Sequence, residues 1–402
     1  MEWFVVPGLR RCLRIVTSLT LLASAAPFLD AQPPGTVHRY SSTEGAPTHW
    51  AVSAPSLVLG AGRDDGPYLF VDVVGIFLLD AERIAVADGQ TSEFRVFSLV
   101  NGRHLRTFGG AGQGPGEIND LWSAWRTSRT LVAEDAAGKA SVFTLDGRFM
   151  RILPRGADAS GRRVERIGVF DDTLSLARLA DDIPEMRPGE SHMLTMQLLA
   201  MSSSRSQRIT RYNDRLLVRG TTGRPRTEVF GATSVAAVIG NRACIGFPNV
   251  YVIDCYSATG RHVTRVERAG VRAAPVTNAL REDYFASEAA ANPGPAGAAY
   301  ITRLRATAPF AKTLPLFGEF LAADNGDLWV GPYIPVGPLP MKRAFPRQPT
   351  IWSVFAADGR WKADVELPAR FQLYAIDDTR VVGVRRDVND VEQVVVLPLR
   401  RR

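Results

Sequence analysis

The chain has 402 residues, 46% of them hydrophobic and 22% charged, with 35 Gly, 26 Pro and a formal net charge of +7. These fractions exclude a disordered chain, a collagen-like repeat and a polytopic membrane protein, and the Gly and Pro content favours many tight turns over a few long helices. The positive charge is almost wholly arginine, interleaved with acids and without a run of five like charges, so it reads as solvated surface and no nucleic-acid partner is expected.

Arg10, Arg11 and Arg14 precede an apolar run from Ile15 to Leu29 that ends near the small residue Ala31. A charged start, a short apolar stretch and a small-residue exit predict a secretory signal peptide over residues 1–31, cleaved near Ala31. The run is shorter than the ~20 apolar residues of a spanning helix, and no later segment reaches that length. An exported protein, periplasmic or extracellular, is therefore expected. Cys12 lies before the apolar run and cannot be a lipid-bearing cysteine behind it. Residues 32–48 read as a linker and 49–402 as one domain.

That domain repeats. Arg95–Arg103 (RVFSLVNGR) is echoed by Ser141–Arg148 (SVFTLDGR), Val252–Arg261 (VIDCYSATGR) and Trp352–Arg360 (WSVFAADGR). Each is an apolar run ending in a residue-plus-Gly pair, the signature of a hairpin turn that needs positive φ. A second short run lies upstream of each: Arg83–Asp88, Thr130–Asp135, Ala243–Ile245 and Asp327–Val330. A period of ~40–50 residues with four short strands predicts propeller blades, here near 67–110, 117–154, 163–212, 230–268, 317–367 and 370–400. The third has no Gly turn, and 181–192 reads as a loop insertion. The last has three strands, so the run Trp50–Leu59 is expected to supply its fourth. The fold class is all-β: a six-bladed β-propeller closed by a 3+1 sheet.

Cys244 and Cys255 flank a turn at Phe247–Asn249. Antiparallel pairing would set their sulfurs opposite each other, and an even pair in an exported protein reads as a disulfide. Farther on, Thr277 is an N-cap candidate for a helix to Ala291, Asn292–Pro295 breaks it, and the helical pattern resumes at Ala298–Ala308. Leu280 and Tyr284, then Tyr300 and Leu304, give each helix one apolar stripe. This hairpin over about 277–308 is expected on a face or rim of the propeller, as a cap, a lid or a partner surface.

The segment Thr107–Ile118 (TFGGAGQGPGEI), with Gly109, Gly112, Gly114, Pro115, Gly116 and Glu117, resembles the inter-blade GxGPGEF motif of exported NHL-like six-bladed β-propeller proteins. Asp324–Val330 (DNGDLWV) and Val382–Asp387 extend the resemblance, which covers roughly residues 45–400; Ile118 stands where those proteins usually have Phe. The resemblance implies a fold and an exported setting, and no single reaction.

Catalytic signatures are missing: the sequence has no G-x-S-x-G elbow, no H-E-x-x-H helix and no P-loop. The glycine-rich segment lies between strands, which suits a turn and not a dinucleotide loop. The five histidines, His38, His49, His104, His192 and His262, have no metal spacing. Asp324, Asn325 and Asp327 are oxygen ligands at close spacing, but the terminal Glu of a calcium loop is missing, so no cofactor is predicted and calcium is the minor alternative. Glu117, Asp135, Arg178 and Arg385 lie at or after blade strands, and no common face can be assigned to them from spacing. Trp122, Trp125, Trp329, Trp352 and Trp361 are expected to pack between blades unless they line a polymer-binding groove. The reading is an exported, monomeric, non-catalytic binding scaffold for a protein or envelope component. The alternative is a metal-assisted, lactonase-like hydrolase or lyase at the central channel.

Overall fold

A computed structural model describes residues 35–41, 45–60, 66–153, 155–158, 160–220, 223–335, 345–387 and 391–401; the expected signal peptide lies outside the described residues. The described residues are all-β apart from one helical hairpin and a short 3-10 turn at Gly66–Tyr68. The strands are β1 (Thr36–Tyr40), β2 (His49–Val52) and β3 (Leu57–Leu59), followed by β4 (Val73–Leu78), β5 (Arg83–Asp88), β6 (Glu93–Ser98) and β7 (His104–Gly109). Next come β8 (Leu121–Arg126), β9 (Thr130–Asp135), β10 (Ala140–Thr144) and β11 (Phe149–Leu153). A third group is β12 (Glu165–Val169), β13 (Ser175–Ala180), β14 (Ser191–Met201), β15 (Ser206–Val218) and the short β16 (Arg226–Thr227). Then follow β17 (Val235–Ile239), β18 (Arg242–Gly246), β19 (Val252–Ser257) and β20 (His262–Arg268), and helices α1 (Asn278–Ala291) and α2 (Gly294–Thr307). The last strands are β21 (Glu319–Ala322), β22 (Leu328–Gly331), β23 (Thr350–Phe355), β24 (Trp361–Leu367), β25 (Phe371–Ile376), β26 (Arg380–Arg386) and β27 (Glu392–Arg400).

The repeat unit folds as successive antiparallel hairpins. Its turn glycines Gly102, Gly147, Gly260 and Gly359 all have φ between 72° and 95°, the left-handed region the turn requires. At Gly147 a Cβ would also fall 2.4 Å from the Phe108 ring. The third group was obscure in sequence because its turn is Ser202–Arg205, without glycine, and its strands β14 and β15 run to 11 and 13 residues. Met186 pins the 181–190 loop of that group by packing on Leu194 and Leu217.

Hydrogen bonding divides the strands into five sheets: β4-β5-β6-β7, β8-β9-β10-β11, β12 to β16, β17 to β20 with β1 on the outside, and a nine-stranded sheet in which eight strands follow one path and β3 pairs off it with β27. In that path β2 joins β21–β24 to β25–β27. Two expectations are corrected here. The run Trp50–Leu59 is not one strand: Pro55, lacking an N–H, separates β2 from β3, and β3 alone completes the last sheet by pairing with β27. The residues 36–40, read as linker, form β1, which pairs parallel with β20; its mostly exposed side chains gave it no apolar signal. β2 pairs parallel with β24 through Trp50↔Val365 and antiparallel with β27 through Val52↔Leu399. Trp50 is buried against Trp329 at 6.3 Å, with Lys362 and Arg401 over its ring.

Thr277 caps α1 by accepting the Leu280 N–H. α2 begins at Gly294, earlier than the pattern suggested, because Pro295 is tolerated in a first turn where no intrahelical N–H is needed. The hairpin is held to the β-structure by Phe230, Val276, Leu280, Tyr284 and Phe310. Phe230 has φ 60°, which is strained for a bulky side chain.

Candidate functional site

The first strands of the repeat units converge. β4 lies against β8, β8 against β12, β12 against β17, β17 against β21, β21 against β25, and β25 against β4. Small side chains permit the approach: a Cβ on Gly75 would meet Ala124 of β8 at 3.5 Å, and one on Gly168 would meet Val238 of β17 at 2.9 Å. The six strands enclose a cavity of about 790 Å³. Its walls are half-buried apolar groups such as Val74, Phe77, Ile167, Val238, Leu321 and Tyr374.

Charge is confined to the ends of these strands. At the C-terminal ends of β8 and β21, Arg126 Nη1 donates to Asp324 Oδ1 at 2.9 Å, joining residues 198 positions apart. Burial, with help from Asp377 and Asp378, holds the Asp324 carboxyl above its ordinary range against the opposing pull of Arg126. Arg126 Nε has no hydrogen-bond partner among the described residues, so the guanidinium is only partly satisfied by the protein. Toward the other end, Arg178 forms a two-pronged pair with Glu165 at 2.8 Å, and buried Arg166 pairs with Glu134. Fully buried Asp214 accepts from Ser234 and Arg215. Tyr212 stands beside this group, its hydroxyl pushed well above the usual range by burial.

The residues singled out in the sequence do not gather into one site. In the glycine-rich segment, Glu117 Oε2 accepts the Gly114 N–H at 2.7 Å, and a Cβ on Gly112 would fall 2.1 Å from that carboxylate oxygen. Ile118 is 1% exposed and packs among residues of β5, β6, β9 and β10. Gly109 and Gly116 take positive φ around it, and Pro115 lies in the turn between them. The loop thus folds onto its own glutamate and wedges Ile118 between two sheets. Asp135 accepts the Lys139 N–H and Arg385 donates to Gln393. Asp324, Asn325 and Asp327 form a turn whose carboxylates already face Arg126 and Lys362. Among the described residues no group of three or more His, Cys, Asp and Glu could hold a metal ion. His104 and His262 hold equivalent places, each at the start of a fourth strand against an aromatic ring, Phe97 and Tyr256. Trp329, Trp352 and Trp361 are buried and Trp125 lines the cavity, whereas Trp122 is 49% exposed. Cys244 and Cys255 are direct cross-strand partners with sulfurs 2.00 Å apart. Among the described residues no helix is long and apolar enough to cross a membrane.

No protein-family model matches the chain, and no curated protein matches it. Among solved structures, a DUF4221-family member from Bacteroides vulgatus is similar with a TM-score of 0.53 at 10% identity, over 87% of this chain and 98% of that one. This likeness shows a shared fold alone. A Bacteroides fragilis protein proposed to be exported gives a TM-score of 0.47 at 13% identity, over 91% of this chain and 100% of that one.

Proposed function

We propose that the chain is an exported six-bladed β-propeller, of the NHL-like kind, that binds a protein or envelope component without transforming it. The blade reading is supported by the closed ring of first strands, each followed outward by its own hairpins, with β3 supplying the fourth strand beside β25–β27. Export is supported by the charged and apolar start of the sequence and by the paired Cys244 and Cys255. The observation that carries the binding reading is the 790 Å³ cavity, apolar along its walls and ending in a partly satisfied arginine. An apolar group fits such walls by the ordinary area argument, and an acidic terminus would meet the exposed part of the Arg126 guanidinium beside Asp324.

The test uses laurate as a probe of that chemistry, with binding followed by calorimetry, alongside affinity capture of tagged residues 32–402 from envelope extract with and without chelator. Laurate binding that is lost in Ala124→Phe, weakened about tenfold or more in Arg126→Gln, and accompanied by one stoichiometric captured component supports the reading. Lactone turnover that depends on a chelator-removable divalent ion refutes it and establishes the hydrolase.

A further inference from the structure

The arginines that look scattered in sequence recur at one structural position. Arg103, Arg148, Arg205, Arg261 and Arg360 each immediately precede the fourth strand of their unit: β7, β11, β15, β20 and β24. Their backbone roles are the same. Each carbonyl accepts an N–H from across the outer hairpin turn, from Ser98, Thr144, Ser202, Ser257 and Ala356 respectively. Each backbone N–H is received by a turn side chain: Asn101, Thr144, Ser202, Ser257 and Asp358. In the sixth unit, whose fourth strand comes from the other end of the chain, the residue before β3 is Ser56, and exposed Arg400, at the end of the third strand β27 opposite Ala51 of β2, supplies the cation on that side.

All six side chains are exposed, and among the described residues none has an ion-pair partner. The acid nearest in sequence to Arg148 is already engaged elsewhere, since Asp146 pairs with Arg83 at 3.2 Å and Arg106 at 3.3 Å. The turn that carries Arg103 also holds Val100, 76% exposed, the most exposed large hydrophobic among the described residues. A cation beside an exposed apolar tip suits an interface between water and lipid.

We infer that this rim of six arginines docks the protein onto an anionic bilayer surface. The inference rests on the propeller reading, which sets the five turns and the end of β27 on one face around one axis. A ring of separated cations without ion-pair partners among the described residues, though Asp146 and Asp358 lie in two of its turns, meets a broad plane of phosphate charge with every member at once. A linear polyanion would follow only neighbouring members, and such binding is an outcome of the test. Four of these arginines already close the repeat motif in Gly-Arg (Arg103, Arg148, Arg261 and Arg360), whereas Arg205 and Arg400 lie outside it.

The experiment is co-sedimentation of the mature protein with phosphatidylcholine vesicles containing 0, 15 or 30% phosphatidylglycerol, at low and high salt. Partitioning should rise with phosphatidylglycerol and vanish at high salt. Each rim arginine replaced by Gln should weaken partitioning roughly fivefold, so Arg103→Gln with Arg148→Gln should weaken it about 25-fold. Arg265→Gln with Arg305→Gln removes the same charge from arginines paired with Asp254 and Glu282, outside the rim turns, and should weaken it severalfold at most. Absence of binding at 30% phosphatidylglycerol, equal losses from the paired and the rim variants, or tighter rim-dependent binding to heparin than to vesicles would each overturn the inference. Ala124→Phe separates the two proposals, because it blocks the cavity and leaves vesicle binding intact. If the sheets did not share an axis, the single rim variants would be unequal and their effects would not accumulate.

Discussion

Trp50 lies where the two ends of the fold meet, and Trp50→Ala tests whether that junction belongs to the cooperative structure. Its ring is buried against Trp329 in a cluster that draws on β23, β24, β25, β26 and β27. Truncating a buried tryptophan to alanine costs about 3–5 kcal/mol. Lys362 at 5.6 Å and Arg401 at 4.7 Å add two partly exposed cation–π contacts, each about 0.5–1 kcal/mol. These contributions overlap and the strand can relax at its edge, so a loss of about 4 kcal/mol is expected, a large share of the ~5–15 kcal/mol by which a domain is stable. Trp50→Phe keeps most of the apolar body and should lose about 1–2 kcal/mol. Guanidinium unfolding followed by far-ultraviolet circular dichroism reads both variants without relying on the fluorescence of the residue removed. A loss under 1 kcal/mol for Trp50→Ala, or equal losses for the two variants, would show that β2 is a loosely held strap and not a closing element.

Three further outcomes follow from particular contacts. Reducing the Cys244–Cys255 pair, 11 residues apart, should cost roughly 3 kcal/mol from loop-closure entropy, measured as a shift in the unfolding midpoint with and without dithiothreitol. Asp324 is held above its ordinary range in the folded protein, so the folded state keeps a proton that the unfolded chain has lost. Stability should therefore fall as pH rises from the ordinary carboxylate range through the raised one, and Asp324→Asn should flatten that slope in urea titrations. Glu134→Gln removes the carboxylate that faces the buried Arg166 guanidinium and should cost about 3 kcal/mol in equilibrium unfolding, whereas a surface pair would cost under ~1 kcal/mol.

The repeat was legible wherever the turn chemistry was explicit, as at Asn101-Gly102 and Asp146-Gly147, and it faded where Ser202–Arg205 used serines instead. Pro55 was visible and should have divided the Trp50–Leu59 run, since a residue without an N–H cannot continue a ladder. β1 carried no apolar pattern because a fifth, outer strand is solvated on most of its positions, and it is recruited by pairing with β20 and by Tyr40 packing against Phe355 and Trp361. The cavity could not be read from spacing. Each first strand contributes a few residues, and the Arg126–Asp324 contact joins units separated by more than 100 residues of intervening fold. The glycine-rich segment was read as a turn on its flanking strands, and the Glu117–Gly114 contact gives that turn its physical cause.

The pairing of β3 with β27 also bears on the order in which the protein can form. Val394, Val395 and Val396 meet Leu59, Val58 and Leu57 across more than 330 residues of chain. The hairpins of each unit can form locally and early, but the final sheet keeps a bare edge until β27 is available. On the export proposed above, a chain threaded through a membrane would hold an incomplete sheet for most of its passage, with closure deferred to the far side. There the exposed β3 segment is the part most open to mispairing or to a chaperone's grip.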